Sequence, residues 1–341
     1  MYYIGLDVHK LSISFCIKQA DGTIVREGKL KANRQALTAW AGQLPQPWAG
    51  AMEATLVSHW IYHHLQPFAA DLQMGNPSRM RAIGCAKKKT DRIDAAMIAD
   101  LLRCNLLPAV SVLPEPFVRM RQMLRYRRLL VECEVRMKNK IAGLLMESGI
   151  EYDRARLHGK NYFRRLLKNN HEIPPSVIDL LEFSREQAET LHRMEQRLVQ
   201  GLAGLPQLAE RVNRLTRIPG VGLIVALTWA LEIGPVERIG STSKAISYCG
   251  LTSALRSSAD AAKRGPISKQ RNRHLQSVLV ETAKLAPQWN PALAVVHERE
   301  KQRGHANRAT LAVARKLVAY LLAADRGHQS AATQAAEAIS A

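Results

Sequence analysis

The chain has 341 residues, with 49 Lys+Arg against 29 Asp+Glu, a formal net charge of +20 and a pI near 10.1. At 47% hydrophobic and 23% charged it has enough apolar content for two or three cored domains, which excludes a disordered polyelectrolyte. The basicity points to nucleic acid, because neutralising phosphates releases condensed counterions. A basic membrane-surface protein is the competing class, but no long amphipathic basic anchor stands out and no run of ~18 apolar residues reads as a span. Asp7, His9 and Lys10 interrupt any secretory apolar region at the start. Cys16, Cys85, Cys104, Cys133 and Cys249 are isolated and lack C-x-x-C spacing. They read as reduced thiols rather than a zinc site or disulfide framework, so a cytoplasmic location is expected.

In chain order, residues 2–9 and 11–18 alternate apolar and polar with β-branched or aromatic content and read as strands. Asp21-Gly22 is a tight-turn signal, and Thr23 to Leu30 continues as a third strand. Asn33 caps a helix over 34–44 with Leu37, Trp40 and Leu44 on one face. A strand ending at Glu53, a helix over 57–67 and a strand at 71–74 follow. The order β-β-β-α-β-α-β-α describes an α/β layer whose early strands form a meander. Gly75-Asn76-Pro77 breaks the chain, and Arg79 to Arg92 reads as a basic loop holding Lys87, Lys88 and Lys89.

A helix over 91–104 closes this region, and Pro108, Pro114 and Pro116 mark a boundary. Long helices over 117–148 and 175–203, joined by a polar stretch, suggest an antiparallel or intermolecular coiled coil, or an ordinary helical subdomain. Leu215 to Gly222 opens a third region with an apolar helix over 223–232. A basic segment from Arg256 to Arg273 leads into helices near 274–286 and 307–325, and an Ala-rich tail is expected to fray. The expected domains are 1–112, 113–207 and 208–326, with a disordered tail over 327–341.

Four carboxylates stand out. Asp7 lies in the apolar run Tyr3-Ile4-Gly5-Leu6-Asp7-Val8, and Glu53 ends Trp48-Ala49-Gly50-Ala51-Met52-Glu53. Asp91 and Asp94, three apart, share a face at the start of a helix. Magnesium takes oxygen ligands from a few carboxylates plus substrate phosphate. Two such ions about 4 Å apart stabilise both the attacking and the leaving oxygen of an in-line phosphoryl transfer. Acids in a first helical turn also simply favour the macrodipole, so Asp91 and Asp94 alone carry little. Asp7 is harder to explain without a ligand, because an acid among Ile4, Leu6 and Val8 should face solvent.

Ile218-Pro219-Gly220-Val221-Gly222 between two helices resembles a helix-hairpin-helix, in which Gly220 and Gly222 admit a phosphate to backbone N–H groups. A plain helix–helix turn with Gly as C-cap is the simpler alternative. Ser257-Ser258 reads as part of a basic loop ahead of Lys263-Arg264-Gly265, and a serine there needs activation and nearby cations to act as a nucleophile. His59, His63 and His64 share a helix face without further ligand candidates nearby and read as surface or core polar residues.

Together these residues resemble the insertion-sequence transposases of the DEDD class, the IS one-ten family, which includes the pilin-gene invertase and bridge-RNA-guided recombinases. The resemblance is carried by Tyr3 to Lys10, Met52-Glu53-Ala54-Thr55, Lys89-Thr90-Asp91-Arg92-Ile93-Asp94-Ala95, Arg217 to Gly222, Tyr248-Cys249-Gly250-Leu251-Thr252 and Lys263 to Lys269. It implies a RuvC-like, RNase H-type domain holding Asp7, Glu53, Asp91 and Asp94 around Mg²⁺ (or Mn²⁺). It further implies coiled-coil dimerisation helices and a mostly helical C-terminal domain with a helix-hairpin-helix and a catalytic serine. That serine falls on Ser258, with Ser257 as rival. Two positions depart from the family pattern: Leu56 and Ala259 stand where glycines are usual.

The implied partners are double-stranded DNA at the element ends and target, a structured guide RNA, and further copies of the chain as a dimer or tetramer. The acidic site of one copy then serves a partner's DNA. Lys87, Lys88, Lys89, Arg92, Gly220, Gly222, Lys263, Arg264 and Lys269 are the expected nucleic-acid contacts. The expected activity is excision and insertion of the chain's own element. A RuvC-like junction nuclease using water, or a non-catalytic nucleic-acid-binding protein, are the alternatives.

Overall fold

The computed structural model describes residues 1–83, 90–258 and 261–327, with only the backbone described for 254–258 and 261–264. Two compact units divide the chain, Met1–Glu115 and Pro116–Ala341.

The first unit is a six-stranded mixed sheet with helices on both faces. Its elements are β1 (Tyr2–Val8), β2 (Ser12–Lys18), β3 (Ile24–Lys31), α1 (Arg34–Ala41), β4 (Trp48–Glu53), α2 (Ser58–Leu65), β5 (Asp71–Gly75), α3 (Pro77–Ile83), α4 (Asp91–Arg103) and β6 (Ala109–Val110). The strand order is β3-β2-β1-β4-β5-β6, with β1, β2 and β3 as an antiparallel meander and β4 and β5 parallel to β1. The expected meander followed by alternation of strands and helices is present.

Strand alternation sends Ile4, Leu6, Ile13, Trp48 and Met52 into a core shared with α1 and α2. Ala49 and Ala51 face the other way, against Ile98, Leu101 and Leu102 of α4. That second layer is thin because its sheet positions are small. A Cβ at Gly5 would lie 2.0 Å from the Ala95 carbonyl oxygen, so α4 rests directly on the β1 backbone. Ion pairs also tie α4 to the meander: Lys18 Nζ donates to Asp100 at 2.6 Å and Arg92 Nε to Glu27 at 2.7 Å.

The segment read as a loop from Arg79 begins as helix α3. The Asn76 side chain accepts the backbone N–H groups of Ser78 and Arg79, and Pro77 suits a first helical position. Lys87, Lys88 and Lys89 lie outside the described residues, as does most of the Ala-rich tail.

The second unit is mostly helical: α5 (Glu115–Glu147), α6 (Lys160–Asn169), α7 (Pro175–Ala203), α8 (Pro206–Thr216), α9 (Leu223–Ile233), α10 (Thr242–Tyr248), the hairpin β7 (Ser253–Ser258) and β8 (Ala261–Ile267), α11 (Arg273–Leu285), α12 (Pro291–Gln302) and α13 (Ala306–Asp325). The two long helices α5 and α7 run antiparallel within one chain. Arg127 pairs with Glu195, and Glu134 lies 3.5 Å from His192. The stretch between them is not simply polar. α6 folds back with Phe163 and Leu166 against Ile141, Leu144, Leu145 and Leu181.

A larger core gathers Leu124, Leu202, Leu215, Trp229, Leu279 and Leu317 from α5, α7, α8, α9, α11 and α13. α9 is apolar all round and accordingly buried. The stretch holding Ser257 and Ser258, read as a basic loop, is instead the strand β7, paired antiparallel with β8.

Candidate active site

β1 and β4 run parallel with Leu6 opposite Met52, so Asp7 and Glu53 follow side by side at the carboxyl ends of adjacent strands. Asp7 is two positions beyond Gly5 and Glu53 two beyond Ala51, which puts both on the α4 face of the sheet. Thr90 caps α4 through its hydroxyl, which accepts from the Ile93 N–H, and this fixes Asp91 and Asp94 in the first turn above β1. The close seat at Gly5 sets how near those acids come to Asp7.

Asp7 is buried, 7% exposed. Burial pushes its carboxyl above the ordinary aspartate value, His9 counteracts this through charge and a hydrogen bond, and Asp94 and Asp91 raise it further. His9 Nε2 lies 3.0 Å from Asp7 Oδ2 and 3.4 Å from Asp91 Oδ1. Lys29 Nζ, from β3, donates to Asp91 Oδ2 at 3.1 Å. That hydrogen bond holds the exposed Asp91 carboxyl below its usual value, with a smaller contribution from His9. The structure thus brings Asp7, Asp91 and Asp94 together. Glu53 shares the strand ends but makes no ion pair among the described residues.

His9 and Lys29 were not among the expected site residues. His9 carried a signal, an imidazole two residues beyond an acid at a strand end. Lys29 carried none, because its approach to Asp91 depends on the meander folding back under α4.

Ligand atoms of Asp7, His9 and Asp91 lie within 4.8 Å of one another, a spacing that one cation can span. Carboxylate oxygens suit Mg²⁺ and Mn²⁺, and an imidazole in the set favours the softer of the two. The donor set therefore fits a divalent cation. Lys29 supplies positive charge against the Asp91 carboxylate.

The expected nucleic-acid contacts are scattered. Arg92 is exposed but paired with Glu27. Gly220 has φ +89° and packs against Ala286, whereas Gly222 has open space beside it and caps α9 without a side-chain hydrogen bond. Lys269 is exposed beyond β8. Lys263 and Arg264 sit on β8 opposite Arg256 and Leu255, with their side chains outside the described set.

Ser257 and Ser258 occupy the far end of β7, opposite Ala262 and Ala261, and their side chains are likewise outside it. The base of this hairpin is clamped at several points. Ser268 N–H donates to the Thr252 carbonyl at 3.0 Å, Gln276 to the Gly250 carbonyl at 2.7 Å and Arg315 to the Leu251 carbonyl at 2.8 Å.

Beneath that base lies a buried polar network that the sequence reading missed. Glu232, fully buried on α9, accepts hydrogen bonds from Arg125 Nε and Nη2, each at 2.8 Å, and from Asn272 Nδ2 at 2.8 Å. Tyr248 donates its hydroxyl to the Glu232 backbone carbonyl at 3.1 Å. Burial alone would raise the Glu232 carboxyl, but the Arg125 hydrogen bonds and charge, Asn272 and Arg121 bring it below its ordinary value. The available signal was a lone acid in Leu223–Ile233, an otherwise apolar helix.

Residues 4–149 match a DEDD-class family model described as a transposase, and residues 212–298 match the model described as "Transposase IS116/IS110/IS902 family". The chain is 26% identical over 325 residues to the transposase for insertion sequence element IS1328 of Yersinia enterocolitica, covering 92% of this chain and 93% of that one. It is 24% identical over 286 residues to a "Probable family 20 transposase" of Pseudomonas aeruginosa, covering 82% of each. No helix among the described residues is long and apolar enough to cross a membrane. The first match spans the carboxylates and the second the hairpin with its clamped base, and on these grounds the chain belongs to the IS110 family of transposases.

Proposed function

We propose that this transposase is a DNA recombinase that excises and inserts its own element through two chemistries. The first is a divalent-metal site of Asp7, Glu53, Asp91 and Asp94, for which Mg²⁺ or Mn²⁺ is the fitting cation. The second is a serine nucleophile, Ser258 or its neighbour Ser257, on the β7–β8 hairpin. The observation that carries this reading is the buried Asp7 carboxylate, held with Asp91 and near Asp94 at one end of the sheet. The strand order β3-β2-β1-β4-β5, antiparallel then parallel, supports an RNase H-like fold for this unit.

When bound, the cation withdraws charge from the phosphoryl oxygens under attack. Asp7 supplies an anionic oxygen from a dry position, and Asp91 a second from the rim. His9 holds Asp7 by a hydrogen bond and Lys29 holds Asp91 by an ion pair. The serine hydroxyl attacks the phosphorus and forms a phosphoester, while the displaced strand leaves as a free hydroxyl. Attack by the hydroxyl of a new strand then reverses the exchange and restores the serine. Bond energy is conserved, so no external co-reactant is needed.

In this reading residues 113–207 pair copies of the chain, through helices α5 and α7, and 208–326 form the strand-joining domain. Gly220, Gly222, Lys87, Lys88, Lys89, Arg92, Lys263, Arg264 and Lys269 contact nucleic-acid backbone. A structured RNA that pairs with element end and target supplies sequence choice, since backbone contacts position DNA without reading it.

Strand exchange on a plasmid bearing the element ends tests this reading. Ser258→Ala, or Ser257→Ala if the rival serves, should abolish joining and retain DNA binding. A protein that still cleaves with both serines replaced hydrolyses with water instead.

A further inference from the structure

Beside the base of the β7–β8 hairpin lies a groove of about 510 Å³ between α5, α11 and α13. Its lining carries Arg128, Arg271, Arg273 and Lys284 against a single acid, Glu281. Two of the cations are already matched. Lys284 pairs with Glu281 at 2.8 Å and Arg128 with Glu132 at 2.8 Å. Arg271 gives one nitrogen to the Ser268 carbonyl at 3.2 Å and keeps the rest of its guanidinium free for other acceptors. The Arg273 guanidinium has no hydrogen bond or ion pair among the described residues, although its charge reaches Glu132 and His274. Both arginines are exposed.

The position of these arginines is fixed by the same residues that fix the hairpin. The Arg271 Cβ lies 2.3 Å from where a Cβ on Gly250 would fall, so the stem of the Arg271 side chain packs directly on the Gly250 backbone. Asn272 between them accepts from the His274 and Leu275 N–H groups through its side-chain oxygen, while its amide binds the buried Glu232. Arg271 and Arg273 are thus presented from a rigid corner, not from a free loop. Ile267 of the groove wall pairs with Ser253 at the foot of β7. Ser258 stands five residues along that strand, a rise of about 17 Å from its foot.

We propose that Arg271 and Arg273 grip the phosphate backbone of duplex DNA beside the base of the hairpin that carries the serine. Guanidinium forks suit this role because they bind phosphate oxygens two at a time. The two arginines position the strand and take no part in bond making. The inference rests on the reading of the hairpin as the strand-joining element.

The test uses the full-length protein and a fluorescent 30-base-pair duplex of arbitrary sequence, with affinity measured across salt concentrations. Arg271→Gln with Arg273→Gln should weaken binding at least tenfold and lower the slope of log affinity against log salt by about 2, near 0.9 per lost phosphate contact. Arg271→Lys with Arg273→Lys should restore most of that slope, which a folding defect would not allow. An unchanged slope in the glutamine variant overturns the proposal, as does loss of affinity for a structured RNA hairpin alone with duplex binding intact. Failure of the serine reading is separate: wild-type protein would then bind with the full slope yet form no covalent DNA adduct.

Discussion

Gly5 of β1 lies directly under Ala95 of α4, with space for a hydrogen but not for a methyl group. The obstructing atoms are the Ala95 carbonyl oxygen at 2.0 Å and the Ala99 nitrogen at 2.4 Å, both backbone in the middle of a helix. Gly5→Ala must therefore lift α4 and carry Asp91 and Asp94 away from Asp7. The expected cost is at or above the upper end of the ~1–3 kcal/mol typical of overpacking. Calorimetry should show a lower Tm, and Mn²⁺ titration a weakened site. Wild-type values for both would mean that α4 does not need its close seat.

Asp7→Asn separates function from stability. The raised Asp7 carboxyl shows that the folded protein disfavours its ionised form, with burial the main cause. A neutral amide removes that penalty and still offers His9 an oxygen. We expect Tm at neutral pH to stay level or rise, while metal-dependent strand joining falls ~100-fold or more. A Tm several degrees lower would show that Asp7 is a structural acid.

The Glu232–Arg125 pair predicts a pH dependence. Glu232 has a folded value below its unfolded one, so its contribution to stability is present above the ordinary glutamate pKa, about 4.3, and is lost as pH falls through the depressed folded value. Glu232→Gln should cost about 2–3 kcal/mol near neutrality, and the deficit should shrink below that range. Urea melts of wild type and variant from pH 7 to pH 3 measure it. A deficit independent of pH would assign the loss to packing.

The two turn glycines should behave differently. Gly220 combines φ +89° with the Ala286 Cβ 3.0 Å from where an added methyl group would sit, so Gly220→Ala should destabilise by about 1–2 kcal/mol or more. Gly222 has φ −83° and nothing within 4 Å, so Gly222→Ala should cost under about 1 kcal/mol. If phosphate approaches the α9 N-terminus, Gly222→Ala still weakens duplex binding. Equal DNA affinity in wild type and Gly222→Ala would reduce this turn to a helix connection.

Much of the first unit was legible because its signals are local. Asp7 could be singled out because an acid interrupts Ile4, Leu6 and Val8, and the three-residue spacing of Asp91 and Asp94 fits the first turn of a helix. Arg79 to Ile83 misled because the charge of the segment suggested a loop, while the Asn76 cap and Pro77 start a helix. Ser257 and Ser258 misled similarly. The β7–β8 strands lack an apolar face to alternate, and what defines them is their register with each other. Lys29–Asp91 and Arg125–Glu232 join residues 62 and 107 apart in sequence, and no periodicity reports such pairs.

The most direct test of the account is covalent. Full-length protein with Mg²⁺ and a suicide duplex carrying an element end, nicked so that the released strand diffuses away, should yield a nucleotide-linked peptide containing Ser257 and Ser258. Mass spectrometry should place the phosphoester on Ser258, or on Ser257 if that rival serves, and Asp7→Asn should abolish it. Cleavage products free of protein, formed equally by the double Ser257→Ala, Ser258→Ala variant, would contradict the serine mechanism.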